Sequence, residues 1–134
     1  MNQPSPETAV RRAEHVNKPW GHEEIFALVE GCYVGKLLFV KAGESLSLQY
    51  HHEKDETIAL VSGQVEIDLG GSMETLSPAN LSPGDSVHVL PGTLHRLRAL
   101  EDSVLVEAST ASEGWREDIV RLEDRYGRLG TTAP

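Results

Sequence analysis

The sequence contains a single cysteine, Cys32, no apolar stretch of membrane-spanning length, and little positive charge. One cysteine closes no internal disulfide and a thiolate zinc cage needs several, so any metal ion must be held by His and oxygen donors. A membrane helix takes about 20 consecutive apolar residues, and no run here approaches that, so no membrane association is expected. With 12 Lys and Arg against 21 Asp and Glu the net charge is −9, the wrong sign for gripping a nucleic-acid backbone. Nucleic acid is therefore not an expected partner. An anionic small molecule is compatible with that charge, because a few local Arg or Lys side chains bind a phosphate whatever the total. Met1 to Arg12 is polar and lacks the apolar core of a secretion signal, which leads to an expectation of a cytoplasmic protein. There is no internal repeat and no low-complexity tract.

The 134 residues match one ordinary domain with one core. Residues 1–15 mix Pro, Glu, Arg and Ala without a period, which reads as a mobile arm or a strand exchanged with a partner subunit, ahead of a domain over 16–130. From Glu24 onward, short apolar runs with β-branched content are broken by Gly, Pro, Asn and Asp at intervals of roughly ten residues, the pattern of an all-β fold. It predicts strands over 24–29, 33–41, 45–49, 57–61, 64–69, 86–89, 95–99 and 104–108. Ser62-Gly63, between two apolar runs, predicts a hairpin with a primed two-residue turn. The polar segment from Met73 to Leu81, with Pro78 and Asn80, predicts a loop. Ile119, Leu122 and Tyr126 fall at helical spacing among charged neighbours, which predicts a short amphipathic helix or helical turn between Trp115 and Arg128.

Gln49 and His51 are two residues apart, so an extended strand points both to one face. Glu56 opens the next apolar run after a short charged connection and can approach from the neighbouring strand. The turn Pro91-Gly92 delivers His95 at the start of a strand, from which it can close the site from the opposite wall. Gln49, His51, Glu56 and His95 together form a set of donors suited to one Zn, Mn, Fe, Co or Ni ion. His52, next to His51, would point outward on a strand. His88 reads as a satisfied polar side chain, Glu107 as either a cavity residue or a barrel-edge charge, and Trp20 and Trp115 as core or subunit-contact aromatics.

The segments Gly43 to Gly63 and Gly84 to His95 resemble the paired motifs of the cupin superfamily, with Gln49 in place of the usual first His. A Gln there resembles the type II mannose-6-phosphate isomerase domain, found alone or fused behind mannose-1-phosphate guanylyltransferase, in which Gln, His, Glu and His hold zinc or a similar ion. Three further segments carry the resemblance in order: Lys18-Pro19-Trp20-Gly21, Ser47-Leu48-Gln49-Tyr50-His51-His52, and Glu117-Asp118-Ile119-Val120-Arg121 through Tyr126-Gly127-Arg128. It covers about Val16 to Arg128. Two departures stand out: Lys54 occupies the place of a family Arg, and Thr57 that of a His. Lys keeps the charge and loses the bidentate fork.

The resemblance implies a single-domain cupin, a double-stranded β-helix or jelly-roll barrel, closed by a short C-terminal helix or turn. It implies one divalent metal, zinc before Mn, Fe, Co or Ni, on Gln49, His51, Glu56 and His95. The implied reaction interconverts mannose 6-phosphate and fructose 6-phosphate, so a phosphorylated hexose is the expected ligand. Lys54 or His52 would take part in proton transfer, and Arg121 and Arg128 would grip the phosphate, with Glu107 beside the sugar; ion pairing of the two arginines with Glu117, Asp118 or Asp124 is the alternative. A metal-dependent cupin oxygenase and a non-catalytic sugar-binding cupin are the competing functions. Exposed sheet edges lead to the expectation of a homodimer.

Overall fold

The computed structural model describes residues 8–134. Its strands are β1 (Glu14–Lys18), β2 (Gly21–Val29), β3 (Tyr33–Val40), β4 (Leu48–Tyr50), β5 (Glu56–Ser62), β6 (Val65–Gly70), β7 (Ser77–Leu81), β8 (Ser86–Val89), β9 (Leu94–Ala99), β10 (Ser103–Thr110) and β11 (Val120–Glu123). They form a six-stranded sheet in the order β1-β2-β3-β10-β5-β8 and a five-stranded sheet in the order β11-β4-β9-β6-β7. The two sheets enclose a core of Trp20, Leu38, Leu60, Ile67, Leu97 and Leu105 with their neighbours. This is the expected all-β jelly-roll barrel.

Strand period decides what the barrel interior holds. On β10 the inward positions are Ser103, Leu105, Glu107 and Ser109, all buried, so the strand that contributes Leu105 to the core must also bury Glu107. On β9 the same alternation buries His95 with Leu97 and Ala99. Polar side chains at these inward positions gather toward one part of the barrel and make its interior a site.

Four segments differ from the sequence expectation. The strands flanking Ser62-Gly63 do not pair with each other: β5 pairs with β10 and β8, and β6 with β7 and β9. The turn carries the chain from one sheet to the other. Gly63 is required there, because its φ is +99° and a Cβ would lie 2.2 Å from Ser103 Oγ and 2.6 Å from the Asp102 carbonyl oxygen. Alternation reports which face is buried, and is silent on which strand lies alongside. The expected loop over 73–81 instead holds a 3₁₀ turn, Met73–Thr75, and β7, which accepts Pro78 because it is a sheet edge. Within Trp115 to Arg128 only Trp115–Glu117 is helical, as a 3₁₀ turn, and Val120–Glu123 is a strand, because β4 needs a partner for its free edge. Of the expected N-terminal arm, residues 1–7 lie outside the described residues, and Glu14 and His15 open β1, which pairs in register with β2 of the same chain.

The outer face of the five-stranded sheet carries an ion network. Arg98 Nη1 and Nη2 donate to Asp68 Oδ2 and Oδ1 at 2.7 and 3.0 Å, and Arg98 also pairs with Glu66. Arg98 holds the Asp68 carboxyl below its ordinary range, against the opposing effect of burial. A depressed carboxylate contributes stability that is complete above the unfolded pKa of about 3.9 and disappears as pH falls through the folded value. Replacing Asp68→Asn is therefore expected to lower unfolding free energy by about 1 kcal/mol at pH 7, with the gap from wild type closing below about pH 4, as read by urea titrations across pH.

Candidate metal centre and the cavity around it

The metal-ligand candidates meet, with the wall assignments exchanged relative to the sequence expectation. Gln49 on β4 is the direct cross-strand partner of His95 on β9, so these two share one face of the five-stranded sheet. Glu56 reaches them from β5, in the opposite sheet. His51 follows the last residue of β4. The ligand atoms of His51, Glu56 and His95 all lie within 4.8 Å of one another, and all three residues are buried. Glu56 Oε1 is 3.6 Å from His51 Nε2 and 3.2 Å from His95 Nε2.

The hydrogen bonds behind the two imidazoles select their tautomers. His51 Nδ1 donates to the Asp118 carbonyl oxygen at 2.6 Å and His95 Nδ1 to the Thr93 carbonyl oxygen at 2.9 Å. A carbonyl only accepts, so both Nδ1 atoms carry hydrogen, and each Nε2 is the atom turned to Glu56, a donor to the carboxylate in the protonated ring and a free ligand atom in the neutral one. Burial acts to raise the Glu56 pKa, and His51, His95 and Lys54 outweigh it and hold the carboxyl well below its usual range. Glu56 Oε2 is buried, 3.3 Å from Lys54 Nζ, and makes no hydrogen bond to the described residues. A cation bound among these atoms would take the place of the protons between the two imidazoles and the carboxylate.

Gln49 completes the set: Ser47 Oγ donates to its Oε1 at 2.6 Å, and its amide nitrogen faces His51 Nε2 at 3.4 Å. Exchanging the two amide positions turns the oxygen, the metal-binding atom, toward the cluster, and the hydroxyl of Ser47 can then accept from the nitrogen. Two imidazoles, one carboxylate and one amide oxygen fit a zinc-like divalent ion.

A cavity of about 270 Å³ adjoins the cluster, and Gln49, His51, Lys54, Glu107, Arg121 and Arg128 are among its lining residues. Lys54 is buried between two carboxylates, its Nζ 2.9 Å from Glu107 Oε2 and 3.3 Å from Glu56 Oε2. Burial alone would lower its pKa; Glu107 and then Glu56 outweigh that and raise it above the ordinary lysine value, so the ammonium stays charged. Ser109 Oγ donates to Glu107 Oε2 at 3.2 Å. Glu107 is thus a cavity residue.

Arg121 is the cross-strand partner of Gln49, placing Arg121, Gln49 and His95 in one row across β11, β4 and β9. Its Nη1 and Nη2 donate to the Thr131 and Ala133 carbonyl oxygens at 3.2 and 2.7 Å. Arg128 is held by Asp124, with Nε at 2.8 Å from Oδ2 and Nη2 at 2.9 Å from Oδ1, and Nη1 donates to the Pro134 carbonyl oxygen.

His52 does not join this assembly: it is exposed, and its ring lies edge-on to Tyr50. His88 is exposed and bonded to Asp55 at 2.6 Å. Trp20 and Trp115 are buried core aromatics, and the Trp115 indole nitrogen donates to Glu30. Asp118, which the sequence offers only as an ion-pair partner for the two arginines, instead accepts with its carboxylate the backbone N–H groups of His52, Glu53 and Lys54 at 2.7, 2.9 and 3.0 Å. Glu23 and Lys36, not singled out in the sequence, and Lys18, noted there only within a family motif, line the same cavity. Their alternation with apolar residues on β1 to β3 was the available signal.

Residues 6–124 match the family described as mannose-6-phosphate isomerase C-terminal. The chain belongs to this family. It is 32% identical over 116 residues to mannose-1-phosphate guanylyltransferase ManC of Salmonella typhimurium, covering 85% of this chain and 23% of that protein. It is 35% identical over 118 residues to xanthan biosynthesis protein XanB of Xanthomonas campestris, covering 84% and 23%. Against alginate biosynthesis protein AlgA of Pseudomonas aeruginosa the identity is 36% over 122 residues, covering 88% and 24%. The chain therefore spans about a quarter of the length of these curated relatives. Two solved structures share the fold: capsular polysaccharide assembling protein CapF from Staphylococcus aureus (TM-score 0.71, 17% identity, 90% of this chain and 34% of that one) and KdgF from Halomonas sp. (TM-score 0.65, 23% identity, 73% and 87%). Both are cupin-fold proteins.

If the converging donors of this isomerase-family domain bind an ion, His51→Ala or His95→Ala is expected to lower metal retained after dialysis by at least tenfold, roughly the penalty of losing a ligand or its support. Elemental analysis beside circular dichroism reads this, and full metal content in a folded His51→Ala or His95→Ala variant would sink the site.

Proposed function

We propose that the chain is a metal-dependent isomerase that interconverts mannose 6-phosphate and fructose 6-phosphate. The observation that carries this reading is the convergence of His51, Glu56, His95 and Gln49 beside a cavity that also presents a charged Lys54, a carboxylate at Glu107 and a cationic Arg121. A cavity of about 270 Å³ is near the lower end of small-molecule sites, roughly 300 Å³, and suits one monosaccharide phosphate.

A bound divalent ion, zinc before the others, would be held by Gln49, His51, Glu56 and His95 and would polarise the carbonyl oxygen of the open-chain sugar. The chain's own residues then have to move protons. Conversion of aldose to ketose removes the proton on C2, delivers one to C1, and transfers a hydroxyl proton from O2 to O1. Lys54, charged between two carboxylates, is a proton donor and hydrogen-bond donor toward the sugar oxygens and a poor base. Glu107, on its other side, is the carboxylate available to carry the carbon-bound proton. His52 has no part in this scheme, since its ring is outside the cavity. The relatives named for xanthan and alginate biosynthesis support a role in supplying mannose units to polysaccharide. A homodimer belongs to the same reading, supported by the exposed Phe26, Leu28, Val29 and Tyr33 on the outer face and hairpin of β2 and β3.

Lys54 in place of the family's Arg favours one second reading, a sugar-binding cupin without turnover. The purified protein, stripped by chelation and reloaded separately with Zn, Mn or Co, is expected to convert mannose 6-phosphate to fructose 6-phosphate only when reloaded. Binding of the sugar phosphate with no turnover under any of the three ions would replace the isomerase by the second reading.

A further inference from the structure

Arg121 presents an imbalance of charge. The side chain is buried, with the residue 7% exposed, yet its only hydrogen-bond partners among the described residues are two neutral backbone carbonyls, and its Nε is buried with no partner. Arg128, two strand-lengths of chain further on, is matched in two places by Asp124. A buried guanidinium facing neutral acceptors lacks the counter-charge that such a group ordinarily finds.

A second, only partly compensated cation lies in the same cavity wall. Lys18 Nζ is 3.9 Å from Glu23 Oε1, and that same oxygen takes Lys36 Nζ at the shorter distance of 3.2 Å. Two lysines therefore share one carboxylate. At this end of the cavity Lys18, Lys36, Arg121 and Arg128 share two carboxylates, Glu23 and Asp124, in a chain whose total is −9; elsewhere in the lining Lys54 and Arg116 stand with Glu107, Glu117 and Asp118. A phosphate monoester carries about −1.5 to −2 at neutral pH.

We propose that Lys18 and Arg121 form an anion subsite in this cavity and hold the phosphate of the substrate directly, with Arg128 fixed beside them by Asp124 as a supporting charge. Lys18 is the new element: a phosphate-binding residue contributed by the end of β1. The pKa of Lys18 is lowered, first by burial, against Glu23, and then by the positive charges of Lys36, Arg121 and Arg128, and a bound anion relieves each of the last three. The carbonyls of Thr131 and Ala133 stand where a doubly charged oxyanion would make stronger, charge-assisted bonds to the guanidinium. Because Arg121 pairs across the strands with Gln49, a ligand anchored there has the metal-ligand row beside it. Naming the anion as a sugar phosphate rests on the proposed isomerase; the subsite itself rests on the charges.

Inorganic phosphate is the probe, titrated into the metal-loaded full chain by calorimetry, with metal content and thermal unfolding recorded for every variant. Wild type is expected to bind phosphate, Lys18→Gln and Arg121→Gln each to weaken it by about tenfold or more at unchanged metal content, and Lys18→Arg to restore it. Should Arg121→Gln fail to fold, Lys18→Gln, at a half-buried position, decides the matter together with its Arg rescue. Phosphate binding that is absent in wild type, or that survives Lys18→Gln undiminished because the metal alone holds it, overturns the subsite. Phosphate binding that depends on Lys18 and Arg121 without isomerase turnover keeps the subsite and removes the isomerase. Turnover with a KM for mannose 6-phosphate unmoved by either substitution keeps the isomerase and removes the subsite.

Discussion

Four hydrogen bonds converge on Asp118, and the position of both His51 and Lys54 depends on them. Its carbonyl oxygen accepts from His51 Nδ1, and its carboxylate accepts the three consecutive N–H groups of His52, Glu53 and Lys54. Those N–H groups belong to a connection between two sheets, where no strand partner is available for them. Without an acceptor the segment would be free to re-aim the imidazole and the ammonium. One acidic residue thus orients a metal-ligand candidate through its backbone and that candidate's loop through its side chain, the kind of outer support that decides how well a set of donors is aimed. Burial acts to raise the Asp118 pKa and the three donors overcome it, so the carboxylate is the stable form.

The interior that Asp118 organises is an expensive one. Glu56, Lys54, Glu107, His51 and His95 are all buried at inward positions that Leu or Val fill elsewhere in the barrel. Taking this many ionisable groups out of water costs several kcal/mol per ion before their mutual attraction is counted, and apolar replacements would satisfy the fold as well or better. Lys54, charged between two carboxylates, offsets part of the cost, and Glu56 Oε2 remains without a hydrogen bond among the described residues. A barrel whose core elsewhere is close-packed Leu, Ile and Val departs from that rule in one place, which is where a function is to be sought.

Strands β2 to β6 and β8 to β10, and the shared face of Gln49 and His51, were legible in the sequence because each rests on a period of two, whereas Glu56 and His95 were singled out by their places at the starts of apolar runs and by the paired motifs. Gln49 and His51 share a face by spacing, and β8 runs over the expected residues. Partner choice was not legible. The Ser62-Gly63 turn looks like a hairpin from either side, and only the sheet assignment shows that it crosses between layers, as it also shows Glu56 and not His95 on the opposite wall. The segment after Trp115 satisfied a helical spacing with three apolar residues, too few to outweigh the demand of the β4 edge for backbone partners. Lys18, Lys36 and Glu23 were not read as cavity residues because isolated charges on a strand ordinarily face solvent; their inward places follow from the registers of β1 with β2, where Val16 lies opposite Glu23, and of β2 with β3, where Ile25 lies opposite Lys36.

The chain order of the site has a consequence for folding. The metal-ligand candidates run from Gln49 to His95, their outer support is Asp118, and Arg121 comes later still, so His51 meets the Asp118 carbonyl across 67 residues of sequence. β4 is only three residues long and pairs on one side with β9 and on the other with β11. A strand that short has little stability of its own, and its ligands are in place only when both neighbours have docked. The donor cluster is therefore completed by non-local contacts, and the support of His51 by Asp118 is lost from any state in which this C-terminal segment is detached. An ion that binds these donors binds the closed barrel alone, so its affinity adds to the stability of β11 docking as well as to that of the whole fold. The C-terminal strand is in this way a structural component of the candidate metal centre, although it contributes none of the four candidate ligands.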